Sequence, residues 1–220
     1  MTDAGLIPNR FLFRFELPLR RFKTAPKQTG DPESWGDRHL LPRLCTLDDE
    51  EGFGDVYAGW DDTGLFVGGV VNGKDDVPFC HPAEFRKSDH LRLMTDMRDA
   101  RQIRRATRYC QEFFFMPSGG GTKGKDATAA SVEIPRAQED APFVGPARIP
   151  IASKVSRSGY RLTAHLTRDV LVGFDPAQSE RIGLFYMLED VELGHQSLTV
   201  DDDLNWWMDP STWPTAVLVD

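Results

Sequence analysis

Apolar and polar positions alternate with a period of two along most of this chain, in short runs broken by Gly, Pro and Asp, the pattern of β-strands rather than helices. The clearest case is Val56 to Val71, VYAGWDDTGLFVGGVV. Two runs rich in Val, Phe, Tyr and Trp, which suit a pleated half-buried surface, flank Asp61-Asp62-Thr63-Gly64, a turn in which Gly64 can take positive φ. A second hairpin is predicted from Arg148–Val155 and Tyr160–Leu166 around Arg157-Ser158-Gly159, with Tyr160, Leu162, Ala164 and Leu166 on one face. Phe11, Phe13 and Phe15 alternate with Leu12, Arg14 and Glu16 as a first strand would, and Ile182–Leu188 and Ala216–Val219 read as late strands. The class is all-β, an antiparallel β-sandwich of the jelly-roll or immunoglobulin-like kind, with residues 1–220 forming one domain.

Helical signals are few. Thr167 fits the N-cap of a single turn running through Val170 and closed near Gly173. The segment Arg98 to Arg108 reads as a short basic helical insertion, whose 3.6 period would set Arg101, Arg104, Arg105 and Arg108 along one face. Thr24–Asp37 and Ser118–Pro146 are rich in Gly and Pro and read as surface excursions, the second long enough to serve as a ligand lid.

Composition narrows the classes. With 40% hydrophobic and 10% aromatic residues the chain can bury a sizeable core, and no run is long enough to span a bilayer. A formal charge of −8, from 34 acidic and 26 basic residues, offers no general attraction to nucleic acid or an anionic membrane. The N-terminus lacks the apolar core and small-residue cleavage site of a secretory signal, so a cytoplasmic location is expected, with Cys45, Cys80 and Cys110 as reduced thiols.

Five segments carry a family likeness: the Val56–Val71 hairpin; SDHLRLMTDMRD from Ser88 to Asp99; SGYRLTAHLTRDVLVGFDP from Ser158 to Pro176; ERIGLFYMLED; and the C-terminal NWWMDPSTWPTAVLVD. In order and wording they resemble the family 9 carbohydrate-binding modules and the wider group of β-sandwiches that includes the DOMON domains. The resemblance implies a non-catalytic module that holds a sugar between two aromatic walls. Trp207, followed by Met208-Asp209-Pro210-Ser211, matches the tryptophan of the family's W-x-D-P-S segment, and Phe85 stands where the opposite wall belongs. An indole presents a flat apolar face to the axial C–H bonds of a sugar ring while nearby Asn205 and Asp209 can bond hydroxyls. Where the family has Asp-Ser-Val-Glu this chain reads Asp89-His90-Leu91-Arg92, and the family's Gln-x-Arg strand reads Gln111-Glu112-Phe113-Phe114. Arg92 reverses a charge and suits an anionic sugar. A second reading of the tryptophans stays open, with Trp206, Trp207 and Trp213 as packing residues; Trp60, at a strand end, reads as core.

Other chemistry is thin. Gly119 to Asp126, GGGTKGKD, nearly spells a phosphate-binding loop but ends in Asp126 where a hydroxyl is needed, so a surface loop is expected. Asp48, Asp49, Glu50 and Glu51, and again Asp201, Asp202 and Asp203, offer hard oxygens to Ca²⁺, and the family often carries structural calcium. His39, His81, His90, His165 and His195 are scattered, and no paired carboxylates at glycosidase spacing stand out. Cys80-His81 with Cys110 for a thiol–imidazole site, and Met94 or Met97 with His165 for haem ligation, are formal combinations only. The expected function is sugar binding at Trp207, Phe85, Arg92, Asn205 and Asp209. The alternative is an interaction domain that docks an acidic protein through Arg101, Arg104, Arg105 and Arg108.

Overall fold

The computed structural model describes residues 15–44, 51–199 and 204–220. Among them the alternating runs form β1 (Glu16–Arg20), β2 (Gly54–Asp61), β3 (Gly64–Asn72), β4 (His90–Asp96), β5 (Cys110–Gly120), β6 (Asp126–Val132), β7 (Ile151–Ser156), β8 (Gly159–Thr167), β9 (Arg181–Asp190), β10 (Gly194–Ser197) and β11 (Thr215–Val219). They make two sheets. One runs β1-β11-β9-β4-β5-β6, with β10 added along β9; the other runs β2-β3-β8-β7. All pairings are antiparallel except β1 with β11. The expected strands at Phe11 and Phe13 lie outside the described residues, and Phe15 directly precedes β1.

The hairpin read first from the sequence forms in full register, Trp60 opposite Leu65 and Val56 opposite Gly69. Asp61 builds its turn, one carboxylate oxygen accepting from both the backbone N–H (2.7 Å) and the hydroxyl (2.5 Å) of Thr63. Gly64 has φ +148°, and a Cβ there would lie 2.0 Å from the Leu166 carbonyl oxygen, so glycine is required both by conformation and by the close neighbouring strand. Trp60 is core, as expected, and its indole N–H donates to the Leu19 carbonyl at 2.9 Å, tying β1 to β2.

Period-two alternation sorts the faces. Leu91 and Leu93 of β4, Phe113 and Phe115 of β5, and Tyr186 and Leu188 of β9 point from the first sheet into the core. There they meet Val56, Val67 and the predicted row Tyr160, Leu162, Ala164 and Leu166. Each such burial stabilises by about 1.5–3 kcal/mol, which fixes the register because a one-residue slip would turn the whole row to the other side. The opposite faces are covered by other segments of the chain. That of the second sheet is closed by Trp35 and Phe22 over Tyr57, Phe66 and Val70, with His165 stacked on Phe66 at 4.1 Å. Thr24–Asp37 runs over the surface as expected, anchored by the buried Gly30, Pro32 and Trp35, with a short 3₁₀ turn at Pro32–Trp35.

Four expectations change. Residues 97–109 form successive turns and no helix, because the Asp96 carboxylate accepts the N–H groups of Arg98 (3.0 Å) and Ala100 (2.7 Å) and Asp99 adopts φ +45°. The arginines consequently share no helical face: Arg101 donates to the Trp213 carbonyl, Arg105 to those of Arg136 and Ala137, and Arg108 to the Tyr109 hydroxyl, while Arg104 is exposed. The glycine-rich run is the tip of the β5–β6 hairpin rather than a lid, with a register irregularity between Met116 and Gly120. A turn follows Thr167, the N–H groups of Val170 and Leu171 both reaching its carbonyl, but Thr167 ends β8 and its hydroxyl donates to the Asp169 carboxylate, so it does not act as a helix N-cap.

Candidate functional site

The outer face of the first sheet holds a strip where aromatic rings, charged groups and a cleft adjoin; a second such cleft, lined by Arg21, Phe22, Arg38, Asp61 and Asp62, lies beside the β2–β3 turn. Alternation places His90, Arg92 and Met94 of β4 on it, beside Glu112 and Phe114 of β5 and Phe185, Met187 and Glu189 of β9. Two segments close over these strands. Residues 82–87 form a 3₁₀ turn that lays Phe85 parallel to Phe114, ring centres 5.1 Å apart. Before β11, a turn closed by the N–H groups of Met208 and Asp209 on the Asn205 carbonyl presents Trp206 and Trp207.

Arg92 lies between these covers. Its guanidinium carbon is 4.7 Å from the Trp206 ring centre and 5.8 Å from that of Phe85, so the planar cation is flanked by rings. Its Nε (2.9 Å) and Nη2 (2.6 Å) both donate to Glu112 Oε1, and Nη1 is 3.8 Å from Glu189. The Glu112 side chain is 0% exposed and its Oε2 has no partner. Burial pushes this carboxyl above its ordinary range, against the pull of Arg92. Glu189 sits 2.9 Å from His90 Nε2, while His90 Nδ1 is 2.6 Å from the Ser88 carbonyl oxygen. Burial also acts to raise Glu189, but the adjoining His90 imidazole and the Arg92 charge outweigh it and hold the carboxyl below its usual value.

Trp206 is buried, stacked on Phe185 at 5.3 Å, and Trp213 is fully buried with its N–H donated to the Trp206 carbonyl at 2.8 Å. Trp207 is only half-buried and meets Trp206 edge to face at 5.8 Å. At the other end of the strip, Arg86, Lys87, Glu189, Val191 and His195 line an open cleft of about 380 Å³.

No family model and no curated protein sequence matches the chain. Solved structures do. A family 9 carbohydrate-binding module from Caldicellulosiruptor kristjanssonii, in complex with cellotriose, superposes with a TM-score of 0.63 at 13% identity, covering 92% of this chain and 93% of that one. A family 9 module from the same organism in complex with glucose gives 0.63 at 14%, covering 92% and 95%. A Bacteroides uniformis protein assigned as carbohydrate-binding gives 0.59 at 8%, covering 91% and 96%. The chain has the fold of a family 9 carbohydrate-binding module.

Within this family 9 fold the expected site residues separate. Trp207 is half-buried and packs against the edge of the main core. Phe85 does not serve as a second open wall: it is buried, one face on Phe114, and Arg86 sits 4.5 Å from its ring centre. Arg92 is buried and engaged by carboxylates, so the sequence argument that it reaches an anion loses its basis. Asp209 caps the Pro210–Thr212 turn, accepting from the Ser211 N–H (3.0 Å) and hydroxyl (2.6 Å), and Asn205 is exposed. Sequence reasoning read Trp206 as a packing residue, quoted His90 and Glu112 without giving them a place at the site, and passed over Glu189. The available signal was Glu112, a charge at a period-two position in the aromatic strand Glu112-Phe113-Phe114-Phe115.

The remaining combinations do not assemble. Met94 lies on the first sheet and His165 on the outer side of the second, which excludes them as a haem pair. Cys80 packs with Phe85 and Phe114, whereas Cys110 lies near Thr107 with its thiol pushed up to about 12 by burial, so they form no shared thiol site. Cys45 and the acidic residues at 48–50 and 201–203 lie outside the described residues.

Proposed function

We propose that this chain is a non-catalytic carbohydrate-binding module whose ligand rests on the outer face of the first sheet, against the half-buried ring of Trp207. The observation that carries this reading is the half-buried indole at the end of a fixed strip of Trp206, Arg92, Glu112 and Glu189. A ring held edge to face on a buried neighbour loses little freedom when a sugar covers it, which favours stacking. The family 9 neighbours, whose ligands are cellotriose and glucose, support a saccharide as the class. Because Arg92 is neutralised by Glu112 and Glu189, the ligand is an uncharged sugar rather than a sugar acid. Glu189 at the cleft supplies an acceptor for hydroxyls and Arg86 and Lys87 supply donors.

Titration calorimetry of the wild type and Trp207→Ala against glucose, cello-oligosaccharides, other neutral oligosaccharides and sugar acids tests this. Binding to a neutral sugar that weakens at least about tenfold in the variant, as loss of a stacking platform predicts, supports the reading. No binding across the panel by folded protein refutes it.

A further inference from the structure

One end of the sandwich exposes an apolar patch. Val77, Phe79 and Val191 are 64%, 55% and 64% exposed, and they come from segments far apart in the chain. Val77 and Phe79 lie between β3 and β4, and Val191 lies in the turn between β9 and β10. Apolar side chains scattered singly over a surface need no explanation, but these are held together.

The buried Asp89 carboxylate joins the two segments. Its Oδ2 accepts the Phe79 N–H at 3.0 Å and its Oδ1 the Val191 N–H at 2.8 Å. The Asp89 N–H donates in return to the Phe79 carbonyl at 2.7 Å, so both polar groups of the Phe79 backbone are engaged. Glu192 repeats the tie, accepting the N–H groups of Asp75 (2.6 Å) and Asp76 (3.3 Å). The Lys74 ammonium, 3.0 Å from Asp89 and 2.5 Å from Asp190, offsets their charge inside the fold. The backbone beneath the patch is therefore fixed beforehand, and a ligand that covers it loses little entropy in ordering it.

Position links the patch to the cleft. Val191 lines the cleft together with Glu189, Arg86 and Lys87. Along the outer face, Phe185 beneath Trp206, then Met187, Glu189 and Val191 follow one another with period two. At a strand rise of about 3.3 Å per residue, Phe185 to Val191 covers about 20 Å, longer than a single sugar ring.

We infer that Val191 and Phe79 form an apolar ledge that prolongs the cleft, and that the ligand is a saccharide chain of several units, with Phe79 facing a ring distant from the one on Trp207. The inference rests on the sugar reading of the Trp207 strip. A chain of sugar rings presents apolar C–H faces and polar hydroxyl edges in turn, and the surface offers the same sequence: an indole, the donors and acceptors of the cleft, then a phenyl ring.

The test compares glucose with cellohexaose by titration calorimetry for wild type, Phe79→Ala and Trp207→Ala, each shown to be folded by circular dichroism. Wild type should bind cellohexaose about tenfold or more tightly than glucose; Phe79→Ala should cut that ratio about fivefold, and Trp207→Ala should weaken both ligands. In ¹⁵N-tryptophan-labelled Phe79→Trp, the added indole should shift with cellohexaose and stay in place with glucose. The ledge is overturned if wild type binds the two equally, if the ratio survives Phe79→Ala, or if Phe79→Ala changes only the sedimentation of the protein, which would make the patch a contact between copies of the chain. If neither ligand binds, the monomer and a long oligomer of the neutral series that Trp207 does hold take their place. If no series binds, the sugar reading itself fails and the ledge falls with it.

Discussion

Replacing Arg92 with methionine keeps a flexible apolar stem under Trp206 and Phe85 but leaves the Glu112 carboxylate, 0% exposed, without its cation. Breaking one side of such a pair costs about 3–5 kcal/mol, because the remaining charge stays desolvated. For a chain of this size each kcal/mol moves the melting point by about 2–4 °C, so a drop of on the order of 10 °C is expected. The double variant Arg92→Met/Glu112→Leu removes both charges and should recover most of the loss, giving a coupling of about 2 kcal/mol or more. The pH dependence follows from the sign of the shift. Glu112 already has a raised carboxyl in the folded state, and losing Arg92 removes a charge that opposed the rise. A carboxyl raised on folding destabilises above its unfolded value and is relieved as pH falls, so the single variant should regain stability relative to wild type in mildly acidic buffer. The assay is urea unfolding followed by circular dichroism at neutral and mildly acidic pH. A single-variant cost below about 1 kcal/mol, or a double variant as unstable as the sum of its parts, would refute the claim that Arg92 and Glu112 form a desolvated pair.

Trp207→Ala should abolish sugar binding yet shift the urea midpoint only slightly, since the ring is half-buried; a collapse of stability would make Trp207 a packing residue. Glu189→Gln should destabilise at neutral pH. Because its folded carboxyl lies below the ordinary 4.5, the Glu189 contribution is present above the unfolded value and lost as pH falls through the folded one, so wild type and variant should converge in acid. A difference that grows in acid would contradict the His90 and Arg92 contacts assigned to it. Gly64→Ala should cost about 1–3 kcal/mol or more by chemical denaturation, from positive φ and the contact with the Leu166 carbonyl oxygen; a neutral result would mean that the β2–β3 turn relaxes freely.

The sandwich was legible in the sequence because alternation and turn chemistry are local. Asp61 to Gly64 and the row from Tyr160 to Leu166 carry their outcome within a few residues. The basic segment misled because helical spacing of arginines says nothing of the competing Asp96 carboxylate, which captures the N–H groups of Arg98 and Ala100 and starts turns instead. The glycine run was read as loop because a hairpin is defined by its partner strand, and Asp126–Val132 has few bulky apolar residues. Trp207 was singled out by its motif, and its role as a sugar platform is the proposal made above. Phe85 and Arg92 were correctly brought to one strip, but their burial depends on Phe114, Glu112 and Glu189, which arrive from β5 and β9. Lys74 pairs with Asp190 more than a hundred positions away, and no local pattern announces that contact.

The central claim, that a sugar settles on Trp207, is tested most directly by the indole N–H resonances of protein labelled with ¹⁵N-tryptophan. Trp207 would be assigned by Trp207→Phe and followed as neutral saccharide is added. The account predicts a saturable shift that is largest at Trp207 and smaller at neighbouring Trp206, while Trp35 and Trp60, which belong to the second sheet and its cover, stay in place. Shifts confined to Trp35 or Trp60, or a saturable heat of binding with Trp207 unmoved, would contradict it.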